Sequence, residues 1–186
     1  GYYFILSSVV YFLDLSYSTI LYKDLIINIL ILLFFIYLLN FFDKIYLGDS
    51  GSYFIGFIYA IFLIDIYFHN QYISPFFIVL LLWYPCYENL FSILRKYNLN
   101  SSPMKPDVNH LHQLIFFFVK KKYKLKTFVS NVLTAHIINF YNIIIFCIGF
   151  KYLTKTEIQI FLILFNIFFY TIIYTKIYGY KYRMGS

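Results

Sequence analysis

Charged residues are what this 186-residue sequence has least of. Only 12% of its residues are Asp, Glu, Lys or Arg, whereas soluble domains have about 25%. Hydrophobic residues make up 62%, which is more apolar surface than a globule of this size can bury, so lipid must cover the rest. The composition therefore excludes an ordinary soluble domain and predicts an all-α, polytopic transmembrane protein.

Cysteine is also scarce, and the two that are present lack the spacing of a metal site. Cys86 and Cys147 both lie in apolar runs, and we interpret them as small, buried apolar side chains. His110 and His112 are close in sequence, but no nearby cysteine or third histidine completes a ligand set. The sequence therefore does not predict a zinc site.

Six apolar stretches are candidate membrane helices, at 2–13, 24–42, 52–68, 72–94, 127–150 and 158–175. The 19 residues of 24–42 would span about 28 Å as a helix, which is close to the thickness of a bilayer core. The sequence begins inside the first stretch without an initiator methionine. We therefore expect that a preceding part of the protein is missing from it.

Positive charge is concentrated between two of these stretches. Residues 95–126 contain eight Lys or Arg residues and a single acid, Asp107, so the positive-inside rule predicts that this segment is cytoplasmic. Counting spans outward gives the same side for 43–51 and for the tail from residue 176. Twelve of the 15 basic residues then lie in the cytoplasm. The net charge of +7 thus indicates a membrane face or an anionic substrate, and no nucleic acid is expected.

A glycine-rich turn, Leu-Gly-Asp-Ser-Gly-Ser-Tyr at 47–53, joins the second and third stretches. Gly48 and the second glycine allow a tight turn with exposed backbone N–H groups. Such a turn before a helix N-terminus favours phosphate. Asp49 adds a hard oxygen ligand that suits Mg²⁺. The alternative is a solvated turn in which Asp49 or Ser50 caps the following helix.

A histidine motif lies within the basic segment, where residues 102–113 run Ser-Pro-Met-Lys-Pro-Asp-Val-Asn-His-Leu-His-Gln. His110 and His112 share one side of a turn or an extended segment, whereas they would diverge on a regular helix. Imidazoles in this position can bind phosphate or metal, or move protons. The alternative is a pair of loop histidines that face solvent.

The fourth stretch contains a proline and a carboxylate in the segment Pro85-Cys-Tyr-Glu88. An interior proline kinks a helix. A carboxylate inside a membrane span is costly and is therefore a functional candidate. The alternative is that Glu88 forms a structural pair with Arg95 or Lys96.

In this order, the motifs resemble those of the bacterial polyprenyl-phosphate N-acetylhexosamine-1-phosphate transferases, which are related to phospho-N-acetylmuramoyl-pentapeptide transferase. Members of that family carry an Asn, an aromatic-x-Gly-Asp-x-Gly-Ser block, a helical Pro-x-x-acid, a basic pair, a Ser-Pro-x-x-x-Asp run and a His-x-His-His loop. The order and spacing match over 38–115, with Gln113 in place of the third histidine. The resemblance implies that this chain is the C-terminal half of one transferase domain, with cytoplasmic loops at 43–51 and 95–126.

The resemblance also implies a reaction and its site residues. Undecaprenyl phosphate would attack the β-phosphorus of a UDP-N-acetylhexosamine and release UMP, with Mg²⁺ or Mn²⁺ neutralising the diphosphate. Asp49 would bind the metal and act in catalysis with His110 and His112. Relatives take most metal and uridine contacts from an acidic motif that would precede residue 1, so the 186 residues alone are expected to be inactive. Substrate contacts are expected from Asn40, Tyr46, Gly48, Ser50, Arg95 and Lys105.

Two other functions stay open at this point. The chain could be a catalytically inactive homologue retained as an assembly partner, or an unrelated membrane transporter or scaffold. A transporter should have polar residues at the bilayer midplane, whereas the strongest motifs here lie at the predicted cytoplasmic ends. The expected partners of a transferase are its two substrates and the lipids of the bacterial plasma membrane, and a homodimer is compatible with it. The product could serve cell-wall or lipopolysaccharide O-antigen synthesis.

We predict that residue 101 faces the cytoplasm. After replacement of both native cysteines, Ser101→Cys should react with a membrane-impermeant maleimide only once spheroplasts are opened, because the basic residues around it oppose export. Lys155→Cys, in a turn on the predicted outer side, is the control and should react in intact spheroplasts. Labelling of residue 101 from outside would overturn the predicted orientation.

Overall fold

The computed structural model describes residues 1–17, 23–42, 44–45, 47–98 and 109–183. Within these residues the chain is helical and contains no strand, which confirms the predicted all-α class. The helices are α1 (Tyr2–Tyr17), α2 (Lys23–Phe41), α3 (Gly48–His69), α4 (Pro75–Leu81), α5 (Trp83–Asn98), α6 (Leu111–Tyr123), α7 (Thr127–Lys151) and α8 (Thr156–Arg183).

Four helices of the described part, α2, α3, α7 and α8, are long and apolar enough to cross a membrane. Helices α4 and α5 pass the same test only together, as a span broken by a bend of 68°. The apolar segment Tyr2–Leu13 of α1 is too short to be counted, because a span needs about 20 apolar residues. Helices that could span a membrane are thus confirmed, and the described residues contain four or five of them, whereas the sequence predicted six.

The bend between α4 and α5 follows from Pro85. Proline has no backbone N–H, so the carbonyl group four residues earlier, that of Leu81, loses its helical partner and clashes with the proline ring. Helix α4 ends at Leu81 and α5 begins at Trp83. The amide of Leu82 donates instead to the carbonyl oxygen of Val79 at 3.1 Å, in a tighter i to i−3 turn. The kink predicted from Pro85 is therefore confirmed.

Contacts divide the chain into two compact units. The first comprises Gly1–Ile78 and Asn139–Gln159, and the second comprises Val79–Ile138 and Ile160–Ser186. The glycine-rich turn belongs to the first unit, whereas Glu88 and the histidine motif belong to the second. The predicted site residues are therefore distributed over both units.

Helices α1 and α3 of the first unit meet at a buried polar contact. The hydroxyl groups of Ser7 and Tyr59 share a hydrogen bond, and both residues are completely buried. The ring of Tyr3 stacks on that of Tyr59, with centroids 6.4 Å apart. Each hydroxyl is satisfied within the protein, as a polar group in an apolar environment must be. Such contacts join membrane helices where hydrophobicity alone gives no preference for helix over lipid.

The connection between α7 and α8 is closed by the side chain of Gln159. Its Nε2 donates to the carbonyl oxygens of Gly149 and Tyr152, both at 2.8 Å. Gly149 lies in the last turn of α7 and Tyr152 in the turn that follows it, and each carbonyl group also accepts a backbone N–H, from Tyr152 at 3.2 Å and from Lys155 at 2.9 Å respectively. Gln159 is completely buried, so its amide group gives each of these carbonyl groups a second donor in a place that water does not reach.

Both cysteines are free and exposed at the protein surface, so the prediction that they are buried was wrong. A small apolar side chain in a membrane span is as stable against lipid tails as against protein. Hydrophobicity therefore does not determine which side of the helix it occupies.

We predict that Gln159→Leu lowers the free energy of unfolding by roughly 1–2 kcal/mol, because two buried hydrogen bonds are lost at about 1 kcal/mol each or less. Reversible unfolding of the purified protein by sodium dodecyl sulfate in mixed micelles measures this change. Lys155→Gln, at an exposed position of the same connection, is the control and should stay within about 0.5 kcal/mol of wild type. Equal stability of the two variants would contradict the role given to Gln159.

Candidate functional site

Two glycines shape the start of α3. Gly48 has a φ of +68°, a left-handed conformation that costs glycine little and other residues more. At Gly51, an added Cβ would approach Cγ of Leu47 to 2.9 Å. The N-cap is Leu47, without a side-chain hydrogen bond, so Asp49 and Ser50 lie in the first turn of the helix. The N-cap position is therefore held by neither of these two residues.

Asn40 holds the chain between α2 and the glycine-rich turn. Its Nδ2 donates to the carbonyl oxygen of Ile45 at 3.1 Å, which fixes the end of α2 against the following connection. Ser50 and Gly48 are exposed. Tyr46 and the side chain of Asp49 lie outside the described part of the structure, as does Lys105. Their predicted roles therefore stay predictions.

Glu88 connects the middle of α5 with the start of α6. The residue is 8% exposed, and its Oε1 accepts the backbone N–H of Leu111 at 2.9 Å and a hydrogen bond from Nδ1 of His110 at 3.0 Å. His110 is the N-cap of α6 and has an extended backbone, with a φ of −63° and a ψ of 150°. A carboxylate at this position satisfies the first amide of the helix and complements the positive end of its dipole. Glu88 is thus paired with His110, a partner that the sequence interpretation did not propose.

Gln113 has a structural role at the same helix end. Its Oε1 accepts the backbone N–H of His110 at 3.2 Å, as the third residue of a helix does in a capping box. The residue that departs from the family's histidine run therefore satisfies one of the amides at the start of α6.

The two histidines of the motif lie side by side. Their rings stack with centroids 5.6 Å apart and an interplanar angle of 10°, because His110 precedes the first helical residue and His112 follows it. Where the ring of His112 contacts protein, lost hydration lowers its pKa, and the charge of His110 lowers it further, while the Glu88 carboxylate acts in the opposite direction. Its usual pKa is about 6.5, so His112 is mostly neutral at pH 7.

Two cationic side chains, those of Arg95 and Lys181, hold Asn109, the residue before His110. Arg95 donates to the backbone carbonyl oxygen of Asn109 at 2.9 Å and to the hydroxyl group of Tyr174. Lys181 donates to Oδ1 of Asn109 at 2.7 Å, and Nδ2 of Asn109 donates to the hydroxyl group of Tyr182 at 3.2 Å. Positive charge from α5 and from α8 therefore reaches the segment that carries the histidines. Arg95, which the sequence predicted to contact the substrate, therefore contacts the segment before the histidines within the second unit.

A row of tyrosines on α8, which the sequence interpretation did not assign to a site, lines this region. Tyr170, Tyr174, Tyr178 and Tyr182 follow one another at i, i+4, with successive ring centroids 6.1, 5.6 and 4.5 Å apart. The ring of Phe91 packs on Tyr170 and Tyr174 at 5.4 and 4.7 Å. The spacing of four is visible in the sequence and could have identified the row, because residues at i and i+4 share a helix face.

An apolar pocket of about 290 Å³ lies between the α4–α5 bend and α8, and its lining is almost entirely apolar. Trp83, Cys86 and Leu90 from α5 contribute to it, together with Ile163 and Ile167 from α8. Glu88 follows Cys86 by two residues on the same helix. Two residues along a helix rotate a side chain by about 200°, so Glu88 lies on the other face of α5 and is not among the residues that line the pocket. The pocket and the polar site belong to the same unit of the protein.

Among the side chains that the structure describes, no group of three or more His, Cys, Asp and Glu residues could hold a metal ion. Asp49, the predicted ligand, is not among those side chains. Proteins commonly hold Mg²⁺ through one or two carboxylates together with substrate phosphates. The hard oxygen of a single Asp49 therefore fits Mg²⁺ only where a phosphorylated substrate completes the ligand set.

Comparison with known proteins gives no relative. No protein-family model, no curated protein and no solved structure matches this chain. The function is therefore argued from the residues themselves.

We predict that Glu88→Ala lowers the free energy of unfolding by about 2–3 kcal/mol, because the buried N–H of Leu111 and the ring N–H of His110 lose their acceptor. The matched control is Asp65→Ala, which breaks a carboxylate–histidine pair on α3. That pair joins Asp65 and His69 at 3.3 Å with side chains 29% and 50% exposed, so its loss should change stability by less than about 0.5 kcal/mol. Denaturant titration in detergent compares the two, and equal effects would exclude a special role for Glu88.

Proposed function

We propose that this chain belongs to a membrane transferase that moves N-acetylhexosamine 1-phosphate from a UDP-sugar to undecaprenyl phosphate, at the cytoplasmic face of a bacterial plasma membrane. The observation that carries the proposal is the buried Glu88–His110 pair at the start of α6, with His112 stacked beside it. The cations Arg95 and Lys181 and an apolar pocket belong to the same unit. This combination of groups suits a reaction that brings the diphosphate of a UDP-sugar and a lipid phosphate together.

His110 is held in one tautomer by Glu88. An ionised carboxylate only accepts hydrogen bonds, so Nδ1 of His110 carries the proton that it shares with Oε1. In the neutral ring the second nitrogen, Nε2, then has a lone pair and accepts a hydrogen bond, for example from a substrate hydroxyl group. In the imidazolium form, Nε2 donates to a phosphate oxygen while the Glu88 carboxylate balances the ring's charge. Donors oriented in advance in this way stabilise the charge of a phosphoryl transition state.

The reaction needs little proton transfer from the protein. An oxygen of undecaprenyl phosphate forms a bond to the β-phosphorus of the UDP-sugar, and the bond from that phosphorus to the bridging oxygen breaks. The bridging oxygen leaves with UMP. Because the attacking oxygen is already anionic, the main tasks of the protein are to position two anions and to screen their repulsion. Histidine, arginine and lysine side chains near one helix end suit these tasks.

The glycine-rich turn supports a diphosphate substrate. Backbone N–H groups in the first turn of α3 favour phosphate oxygens, and the positive φ of Gly48 sets the turn before them. Asp49 would hold Mg²⁺, which when bound neutralises the charge of a diphosphate. Ser50, exposed in the same turn, is available to contact the substrate.

The apolar pocket supports a lipid substrate. Undecaprenyl phosphate joins an anionic head to a long hydrocarbon tail, so its site must combine cations with apolar surface. The pocket of about 290 Å³ has room for a few isoprene units. Trp83 and Leu90, which line it, belong to α5, the helix that carries Glu88 on its other face, so the tail would bind in the same unit as the cations.

The test is a transfer assay. Membranes from cells that express the gene encoding this chain, in a host without such transferases, are given undecaprenyl phosphate and radiolabelled UDP-N-acetylglucosamine or UDP-N-acetylgalactosamine. We predict a labelled lipid product and an equal amount of UMP. Asp49→Asn and His110→Ala should each lower turnover about 10²-fold, the scale for losing one strong electrostatic contact.

The matched control is His136→Ala. His136 is exposed on α7, and its Nδ1 contacts the carbonyl oxygen of Val132 in the preceding turn at 2.7 Å, so this variant should keep wild-type turnover. Failure to form product with either UDP-sugar would favour the inactive homologue or the unrelated membrane protein. Product formation that Asp49→Asn and His110→Ala leave unchanged would support the reaction but contradict these site residues.

A further inference from the structure

The C-terminal end of α6 carries a dense positive charge. Five lysines occur within the seven residues 120–126, and no acidic residue lies between Leu111 and Lys126. All five side chains are exposed. The lysine cluster, as defined here, comprises Lys120, Lys121, Lys122, Lys124 and Lys126.

This cluster adjoins a membrane-spanning helix. Helix α7, a candidate span, begins at Thr127 directly after the last lysine of the cluster. Nζ of Lys120 donates to Oγ1 of Thr127 at 2.9 Å, so the cluster is tied to the first residue of the span. Because the end of a span lies at the membrane surface, the lysines lie at the level of the lipid headgroups.

Aromatic rings lie beneath the first three lysines. The ammonium groups of Lys120, Lys121 and Lys122 lie 5.5, 5.3 and 4.9 Å from the ring centroids of the phenylalanines one turn earlier, residues 116–118. The next residue, Tyr123, is 59% exposed. Aromatic side chains and lysines in this order match the boundary between acyl chains and headgroups, where rings remain in the apolar layer and ammonium groups reach the phosphates.

We propose that the lysine cluster binds anionic phospholipids of the surrounding bilayer, in addition to the transferase function and independently of it. Basic segments beside a membrane span attract anionic headgroups, with a contribution of about 1 kcal/mol per lysine. The ligand is a lipid with a phosphodiester head and a net negative charge, such as phosphatidylglycerol.

The chemistry of the cluster favours a lipid surface over a single bound phosphate. Discrete phosphate sites commonly use the planar fork of arginine, which donates two parallel hydrogen bonds. The cluster contains only lysines, which act as hydrated point charges on flexible stems. Five exposed point charges along one helix end match several mobile headgroups better than one fixed ligand.

Lipid bound at the lysine cluster would also help to position helix α6. Helix α6 begins at Leu111, next to the Glu88–His110 pair, and ends 12 residues later at Tyr123, within the lysine cluster. Ring contacts between Phe118 and Tyr180, with centroids 5.1 Å apart, attach the helix to α8. Anionic headgroups bound at the cluster would hold the other end of this short helix at the membrane surface.

The test measures lipid retention by the full chain. The protein, purified in detergent, is titrated with phosphatidylglycerol or phosphatidylcholine, and bound lipid is counted by native mass spectrometry. We expect stronger binding of phosphatidylglycerol. Lys121→Gln/Lys122→Gln should weaken it roughly 25-fold, at about fivefold per lysine. Lys121→Arg/Lys122→Arg, which keeps both charges, should stay within about threefold of wild type.

The matched control removes two exposed lysines from the other end of α7. Lys151→Gln/Lys155→Gln leaves the cluster intact, although Lys151 also lies near a ring, 5.5 Å from that of Tyr152. This variant should lose less than about threefold in binding. Circular dichroism checks that every variant keeps its helices.

Three results would overturn the proposal. The first is equal binding of the two lipids by wild type. The second is an equal loss in the cluster variant and the control. The third is displacement of phosphatidylglycerol by millimolar inorganic pyrophosphate with the same dependence on Lys121 and Lys122, which would indicate a discrete site for free phosphates. None of these measurements uses transferase activity, so failure of the transfer assay leaves this test unaffected.

Discussion

The polar site of the second unit depends on a buried carboxylate that must accept hydrogen bonds. Glu88 is a carboxylate in a helix that, with α4, forms a candidate membrane span, where an unpaired charge is expensive. It therefore accepts the first amide of α6 and the ring N–H of His110. Because one oxygen serves both, the start of α6, the tautomer of His110 and the stacked position of His112 are determined together.

The same requirement explains the other polar contacts inside the membrane helices. Lipid offers no hydrogen bonds, so a buried donor or acceptor is costly unless it finds a partner in the protein. Ser7 with Tyr59 joins α1 to α3, and Gln159 closes the end of α7. At Pro85, the missing N–H ends α4 and turns the chain by 68°, and an apolar pocket lies beside this bend. Hydrogen bonding of polar groups thus accounts for these helix contacts, and the proline accounts for the bend beside the pocket.

The two ends of helix α6 suit the two kinds of anion that we propose the protein binds. Its N-terminus carries two imidazoles next to a segment held by Arg95 and Lys181, which suits the phosphates of small substrates. Its C-terminus carries five lysines beside a span, which suits lipid headgroups. Both ends use positive charge, but the histidines are held by specific hydrogen bonds whereas the lysines are exposed on flexible stems. Side chains held by specific hydrogen bonds are typical of a site for one ligand, whereas exposed, flexible lysines are typical of a surface that binds many.

The sequence by itself determined the membrane class, the helical fold and the kink at Pro85, because hydrophobicity, run length and the missing amide of proline act locally. It also indicated Glu88 and His110 as residues of interest. It did not show that these two are partners, since they are 22 residues apart and their contact requires the packing of α5 against the start of α6. The role of Gln113 and the exposure of Cys86 and Cys147 were likewise decided only by the tertiary structure. The first depends on where a helix begins, and the second depends on which helix face meets lipid, a choice on which an apolar side chain has no preference.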